Sequence, residues 1–367
     1  MIVRRIALNG WRNYDFETAE FDAGTNVICG ANAQGKTNLL EAVYLLSTGR
    51  SFRSRFDREL IGFDCGGCEV LADVRSHDRE QTVQLRLVNG RPKRITVNGV
   101  KKTAGELSEV VNTVLFCPDD LNLIKEGAAV RRRMMDNAIC QIRPRYAQLL
   151  ADFNRLYENK TRILRDWREK PSLLDTLDDF SDGMARVSAQ MIRYRAAYAR
   201  RLCEAAAPIH RDFSDGGEEL SVVYKTVGTV TDPFASAKEI YYQISEHQEK
   251  HRQAELDSAQ CLTGAHKDDL EIAVNGRAAR AFASQGQTRT AALSLKLAER
   301  EILLAETGEY PVLLLDDVLS ELDARRQEFV LNRIGGGQTL ITCCEDEGIS
   351  KRTGGRVLFV EGGRIRA

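Results

Sequence analysis

Residues 30–37 read Gly30-Ala31-Asn32-Ala33-Gln34-Gly35-Lys36-Thr37, a G-x-x-x-x-G-K-[ST] pattern. A glycine-rich turn of this length lets successive backbone N–H groups face inward around a phosphate, and a helix that follows adds the partial positive charge of its N-terminus. Lys36 then supplies a point charge for β- and γ-phosphate oxygens, and Thr37 a hydroxyl ligand for Mg2+. A second group of chemistry-bearing residues closes the apolar run Val312-Leu313-Leu314-Leu315, which ends in Asp316-Asp317. A carboxylate leaving a buried strand beside a phosphate loop can hold Mg2+, and the acid after it can orient or deprotonate an attacking water. The third is Ala283-Ser284-Gln285-Gly286-Gln287. There a serine N-cap followed by glycine can present a hydroxyl and backbone N–H groups to a γ-phosphate.

Such groups converge only if the chain folds to bring them together, and the hydrophobic pattern says how. Thr25 to Cys29 is a short apolar strand leading into the phosphate loop, and Asn38 to Ser47 an apolar helix leading out of it. Ile2 to Leu8, Leu71 to Arg75, Gln81 to Val88 and Arg94 to Val97 alternate as strands, with Asn98-Gly99 as a tight hairpin turn. From about residue 143 the period becomes helical. Tyr146, Leu149, Leu150, Phe153, Leu156, Tyr157, Ile163, Leu164 and Trp167 form one stripe, interrupted at Lys160 and ended by Pro171. Met184, Val187, Met191, Tyr194, Tyr198 and Leu202 form a second stripe that runs to Pro208. Two such helices of about 25 residues would reach roughly 40 Å and zip together as a short antiparallel pair. A strand near Leu220 to Lys225 and a helix from Ala235 to Ala254 follow, and from Asp268 the α/β rhythm returns. It includes an amphipathic helix at about 286–306 and strands at Val312–Leu315, Gln338–Thr342 and Val357–Val360. The expected architecture is α/β. A P-loop ATPase head is built from both chain ends (1–125 and 262–367, with an antiparallel β subdomain at about 65–115), and a largely helical arm is inserted at 126–261.

Composition narrows the function. The 367 residues carry 52 Lys+Arg against 53 Asp+Glu. The molecule is therefore no polybasic nucleic-acid coat, and any such contact must come from local patches. No run of about 18 apolar residues exists to span a membrane. The opening Met1-Ile2-Val3-Arg4-Arg5 shows no apolar signal core, and nine cysteines scattered through apolar stretches read as reduced thiols, so a cytoplasmic protein is expected. Cys65 and Cys68 form one C-x-x-C, but no second pair follows to complete a zinc site.

In this order the motifs resemble the ATP-binding-cassette superfamily, in which a serine–glycine signature from one subunit closes over nucleotide held by another. Ser320-Glu321-Leu322-Asp323 is similar to that superfamily's D-loop. The 247 positions from Thr37 to Ser284 exceed the usual transporter cassette and fall far short of the long arms of chromosome-maintenance (SMC) ATPases. Within the superfamily the chain resembles the RecF family of bacterial recombination mediators. The motifs are Asn9-Gly10-Trp11-Arg12-Asn13-Tyr14, Gly30 to Thr37, Gly49-Arg50-Ser51-Phe52-Arg53, Pro118-Asp119-Asp120-Leu121, Arg131-Arg132-Arg133, His266-Lys267-Asp268-Asp269-Leu270, Ser284 to Gln287 and Leu313 to Asp323. The resemblance implies ATP as ligand, contacted by residues 30–37 and by Ser284, Gln285, Gly286, Gln287 and Asp323. It implies Mg2+ at Thr37 and Asp316, and Lys36, Asp316 and Asp317 as the catalytic set. It also implies an ATP-dependent homodimer and double-stranded DNA bound near single-strand gaps, with RecR as partner and RecO and RecA in the pathway.

Two departures bear on the reaction. Asp317 stands where transporter cassettes place Glu, and none of His77, His210, His247, His251 and His266 occupies the switch position, where Thr342 is the nearest polar residue. A weak ATPase that uses nucleotide as a dimer-closing switch is therefore expected, since loss of a well-placed general base commonly costs about 10²–10⁴ in rate. Basic candidates for DNA are Arg50, Arg53, Arg55 and Arg58 beside Phe52 and Phe56, the Arg131–Arg133 run, and residues 143–201. The last segment has 13 Lys/Arg against 8 Asp/Glu, an excess that a solvated face would also produce. The rival readings are the motor subunit of a membrane transporter, an SMC-like linker ATPase, and a small-molecule P-loop kinase that would leave Ser284 to Gln287 unexplained.

Overall fold

A computed structural model describes residues 1–226, 228–345 and 348–366. The chain forms two compact units, one of residues 1–122 with 292–367 and one of residues 123–291. The first contains a six-stranded sheet in the order Arg364–Arg366, Arg356–Glu361, Thr25–Cys29, Thr339–Cys343, Val312–Asp316, Thr113–Phe116. All neighbours are parallel except the first pair. Residues 312–316 and 339–343 are buried throughout, as strands covered on both faces must be, and this is why their sequences are unbroken apolar runs. Chain ends thus interleave: the strand before the phosphate loop pairs on both sides with strands more than 300 residues later.

The second six-stranded sheet is antiparallel, in the order Tyr14–Glu20, Ile2–Trp11, Gly67–Ser76, Arg79–Val88, Arg94–Val97, Val100–Lys102. It includes the two N-terminal strands as well as the alternating segments expected at 65–115, whereas Thr113–Phe116 joins the parallel sheet. Asn98 and Gly99 both take positive φ, 50° and 79°, the pairing that a two-residue hairpin requires. Between the sheets lies the helix Lys36–Thr48, with Leu39, Leu40, Ala42, Val43, Leu45 and Leu46 buried in one core with Val3, Ile6 and Leu8 and with Ile28, Leu314 and Leu340. Apolar contact on several sides explains a helix with little amphipathic contrast.

The second unit holds the helices Ala128–Ile142, Pro144–Asp166, Leu177–Phe213, Ala237–Lys250 and Arg252–Ser258 around a small sheet of Leu220–Lys225, Asp269–Val274 and Arg277–Ala278. Its limit lies beyond the residue 261 expected from helical periodicity, because Asp269–Val274 pairs in register with Leu220–Lys225. The two long helices do pack antiparallel: Tyr146 meets Tyr194 edge-on at 5.6 Å, while Leu156 abuts Gly183. The second is longer than its stripe suggested. It runs through Pro208 to Phe213, because proline costs a helix one N–H donor and some local geometry without having to end it.

Lys160, which breaks the first stripe, is completely buried against Glu255 at 2.7 Å. Arg131 and Arg195 are buried too. Arg131 forks onto Asp269 and donates to the carbonyls of Leu123, Ile124 and Glu126, which removes it from the candidate DNA contacts. Arg195 forks onto Asp136 and reaches the Tyr146 hydroxyl and the Ala265 carbonyl. The Tyr224 hydroxyl donates to Asp268. The acidic residues of the His266–Leu270 motif are therefore anchors of this unit.

His266 lies beneath Tyr157, ring centroids 4.8 Å apart, with Nε2 3.0 Å from the Cys261 carbonyl and Nδ1 buried without a hydrogen-bond partner. Burial pushes its pKa down to about 4, helped by the nearby cations Lys267, Arg132 and Lys160 and opposed by the Cys261 carbonyl. The folded state then holds fewer protons than the unfolded one between pH 6.5 and about 4, so stability falls as pH drops through that window. His266→Gln should flatten this acid limb in urea unfolding followed from pH 7 to pH 4, and an unchanged slope would refute the assignment.

Candidate nucleotide-binding site

The phosphate loop is shaped from outside as much as from within. A side chain at Gly30 would place Cβ 2.2 Å from the Val360 carbonyl, and one at Gly35, whose φ is +120°, would strike the Asn13 amide. Ala33 also takes positive φ, +64°. The N-terminal motif holds this shape. The buried Tyr14 hydroxyl donates to the Gly35 carbonyl at 2.9 Å, Asn13 Nδ2 to the Gln34 carbonyl at 2.9 Å, and Gly363 N–H to the same carbonyl at 3.1 Å. Trp11 Nε1 donates to the Asn38 carbonyl within the following helix. Spacing marks these residues as a motif without giving them a task; their task is to fix the loop.

Lys36 is buried, and its ammonium donates to the Gly30 and Ala31 carbonyls at 2.7 and 3.1 Å. The charge is thus held at the mouth of the loop, where a phosphate oxygen could replace a carbonyl. Ala31, Asn32 and Ala33 lie exposed around that mouth. Thr37 Oγ1 donates to Asp316 Oδ1 at 2.8 Å, and Thr342 Oγ1 donates to the same oxygen at 3.0 Å. Thr342 in turn accepts the Asp317 N–H at 2.8 Å, so its hydroxyl uses its one donor and one of its two acceptor lone pairs here. Burial raises the Asp316 pKa even though both hydroxyls favour the ionised form. A desolvated carboxylate that touches the loop's hydroxyl is the donor set a hard divalent cation prefers, and such a cation takes its other ligands from water and phosphate. Among the described residues no group of three or more His, Cys, Asp or Glu is arranged so that it could hold a metal ion.

Asp317 stands at φ +51°, a left-handed conformation that carries its side chain out of the strand direction; Ser320 Oγ donates to its carbonyl at 2.6 Å. Asp323 caps the helix Ala324–Arg333 by accepting from Arg326 N–H at 2.9 Å and also pairs with the Arg326 guanidinium. In the second unit Ser284 and Gln287 form a reciprocal capping box at the start of the helix Gln285–Thr307. Ser284 Oγ accepts the Gln287 N–H at 3.2 Å, and Gln287 Oε1 accepts the Ser284 N–H at 2.9 Å. Gln287 Nε2 is further tied to Glu218. Ser284 and Gln285 are exposed, and capping uses only the oxygen of the serine, so its O–H can still donate outward.

The arginine segment after the phosphate-loop helix is linked to it by a buried ion pair. Arg12 forks onto Glu41, which is fully buried, and continues to Ser54 Oγ and the Glu59 carbonyl; Ser51 donates to Glu41 from the other side. Arg53 reaches Asn38 Oδ1 at 3.2 Å, beside Thr37, while Arg50, Arg55 and Arg58 are exposed. Cys68 is buried and its thiol is pushed up to about 12 by that burial, which makes it an inert packing residue.

A family model described as the RecF/RecN/SMC N-terminal domain matches residues 2–357. The chain is 40% identical over 367 residues to the DNA replication and repair protein RecF of Acetivibrio thermocellus, covering 99% of each. To that of Bacillus subtilis it is 38% identical over 358 residues, covering 96% of each. A solved structure described as the recombination mediator protein RecF–ATP in the RecFOR pathway superposes with a TM-score of 0.90 at 35% identity, covering 99% of this chain and 96% of that one. An Smc head domain with an extended coiled coil from Pyrococcus furiosus shares the fold, at a TM-score of 0.56 and 16% identity.

Because Thr342 serves Asp316 and Asp317 together, Thr342→Val should cost about 1–3 kcal/mol of stability by leaving the Asp317 N–H unpaired and Asp316 Oδ1 with one donor fewer. Thr342→Ser, which keeps both hydrogen bonds, should stay within about 1 kcal/mol of the parent. Equal urea midpoints for the two variants would show that the hydroxyl contributes nothing.

Proposed function

The chain belongs to the RecF family of DNA replication and repair proteins, and from that premise we propose that it is an ATP-dependent DNA-binding recombination mediator whose heads close on nucleotide. The observation that carries this reading is the Thr37–Asp316 contact, which joins a phosphate loop near one chain end to a buried acidic strand near the other at 2.8 Å. In this reading residues 30–37 cradle the triphosphate and Lys36 leaves its loop carbonyls for phosphate oxygens. Thr37 and Asp316 would hold Mg2+, which offsets β- and γ-phosphate charge when bound. Asp317 orients the attacking water.

Ser284 donates its hydroxyl, and Gly286 its backbone, to the γ-phosphate held by a second copy. Asp323 meets the same interface while capping its own helix. Hydrolysis is slow, because Asp317 is one methylene shorter than glutamate and the Thr342 hydroxyl already serves Asp316 and Asp317. ATP then acts chiefly as the ligand that closes the dimer. Double-stranded DNA near single-strand gaps is the substrate surface, with RecR as partner and RecO and RecA acting in the same pathway, in the cytoplasm. Related chains named for DNA replication and repair, and for the RecFOR pathway, support these partners. Among the described residues no helix is long and apolar enough to cross a membrane.

Sedimentation with and without ATP and duplex DNA tests the scheme. Lys36→Ala should weaken ATP binding by about 10- to 100-fold, the worth of a charge-assisted hydrogen bond. Ser284→Ala should bind ATP as the parent does but remain monomeric, because its defect lies on the opposing copy. A Ser284→Ala protein that dimerises normally with ATP would sink the proposal. Arg50→Ala with Arg53→Ala should weaken duplex binding and flatten its log–log salt dependence by up to about 0.9 for each phosphate that is no longer neutralised, whereas an unchanged slope would remove these arginines from the DNA surface.

A further inference from the structure

The segment that follows the phosphate-loop helix forms one wall of a groove of about 490 Å3, and the turn between the strands Arg79–Val88 and Arg94–Val97 forms the other. Its floor is apolar, with Ile61, Leu87 and Val88, and its rims are cationic. On one rim Phe56 is 48% exposed, and the Arg55 and Arg58 guanidiniums lie over its ring, 5.4 and 5.1 Å from the centroid, so that ring and guanidiniums form one stacking surface. On the other stand Arg91 and Lys93. Lys93 is committed: it pairs with Asp57 at 3.0 Å and donates to the Gly49 carbonyl at 2.6 Å, anchoring the groove to the end of the phosphate-loop helix. Among the described residues neither Arg58 nor Arg91 has a carboxylate partner, so two exposed guanidiniums face the groove uncompensated.

We propose that this groove binds an unpaired stretch of a DNA strand, with bases stacking on Phe56 and its flanking guanidiniums and phosphates lying against Arg58 and Arg91. The inference rests on the DNA-binding reading given above and adds a second, single-strand contact to it. A duplex keeps its base faces inside the stack and offers none to an exposed ring, whereas an unpaired strand presents a flat face at every nucleotide together with a phosphate charge. The volume suits a site of small-ligand size, roughly 300–1,000 Å3. A purely apolar peptide would leave the guanidiniums without partners, and an acidic peptide without aromatic residues would bring no flat face to stack on them.

The test is fluorescence anisotropy with a labelled oligothymidylate of about 20 nucleotides, longer than a single such site, alongside a labelled duplex. ATP binding serves as the check on folding. Phe56→Ala should weaken oligothymidylate binding by about 5- to 100-fold, the worth of stacked bases, and Phe56→Trp should restore it. Arg91→Ala should lower the log–log salt slope by about 0.7, the single-strand value for one phosphate. Duplex affinity should change by less than about twofold in each variant, since an exposed ring offers a paired duplex no stacking partner. Oligothymidylate affinity that is unchanged in Phe56→Ala would overturn the site, and so would an equal loss for both DNAs or polyglutamate competing as well as oligothymidylate. If the parent binds duplex but not oligothymidylate, this inference alone falls; if it binds neither, the DNA reading falls with it.

Discussion

A single carboxylate oxygen, Asp316 Oδ1, accepts hydroxyl protons from Thr37 and Thr342, residues that lie 279 and 26 positions away along the chain. Three elements meet at that atom: the helix leaving the phosphate loop and two adjacent strands of the parallel sheet. The contact requires the register that sets Asp316 opposite Thr342. Slipping either strand by one residue would turn the carboxylate from the loop to the other face of the sheet. The chemistry of the site and the packing of the head are thus one constraint.

Much of this was legible in the residues themselves. The glycine spacing, the apolar run before Asp316-Asp317 and the serine cap before a helical pattern each have a local cause, so their positions could be read without knowledge of the fold. The limits of strands 25–29 and 94–97 can be read from sequence to the residue, because β-branched runs bounded by turn residues leave little freedom. What could not be read was tertiary. Tyr14 and Asn13 reach the loop across a strand pairing that no local pattern announces. Lys160 interrupts an apolar stripe as though it faced water, yet is paired with Glu255, a residue 95 positions later. Pro208 reads as a stop in sequence and is not one, because packing along the long helix outweighs a single missing donor.

Charge shows the same division between local and tertiary information. The arginine-rich runs look alike in sequence, and the fold sorts them. Arg12, Arg131 and Arg195 are turned inward onto carboxylates and carbonyls, where removing one partner would strand the other, at a cost of about 3–5 kcal/mol for a buried pair. Along the two long helices several cations are matched locally: Arg155 to Asp152, Arg165 to Asp166 and Arg186 to Asp182. Exposed pairs of this kind contribute little to stability. The arginines between 50 and 58, by contrast, project from a segment whose own fold is fixed by the Arg12–Glu41 pair, so their positive field has a rigid base beside the phosphate loop.

The interleaving of the chain ends has a consequence for synthesis. The carbonyl of Val360 presses on Gly30, and the strand before the loop has both its neighbours among the last thirty or so residues of the fold. A ribosome releases the N-terminus first, at roughly 5–20 residues per second, so the loop would wait roughly 15 to 65 s for the segment that completes it. Throughout that interval the apolar helix 36–48 has no parallel sheet to cover one side, while the helical unit between can already condense. Nascent head and nascent arm therefore face different hazards during translation, and chaperone demand should fall on the former.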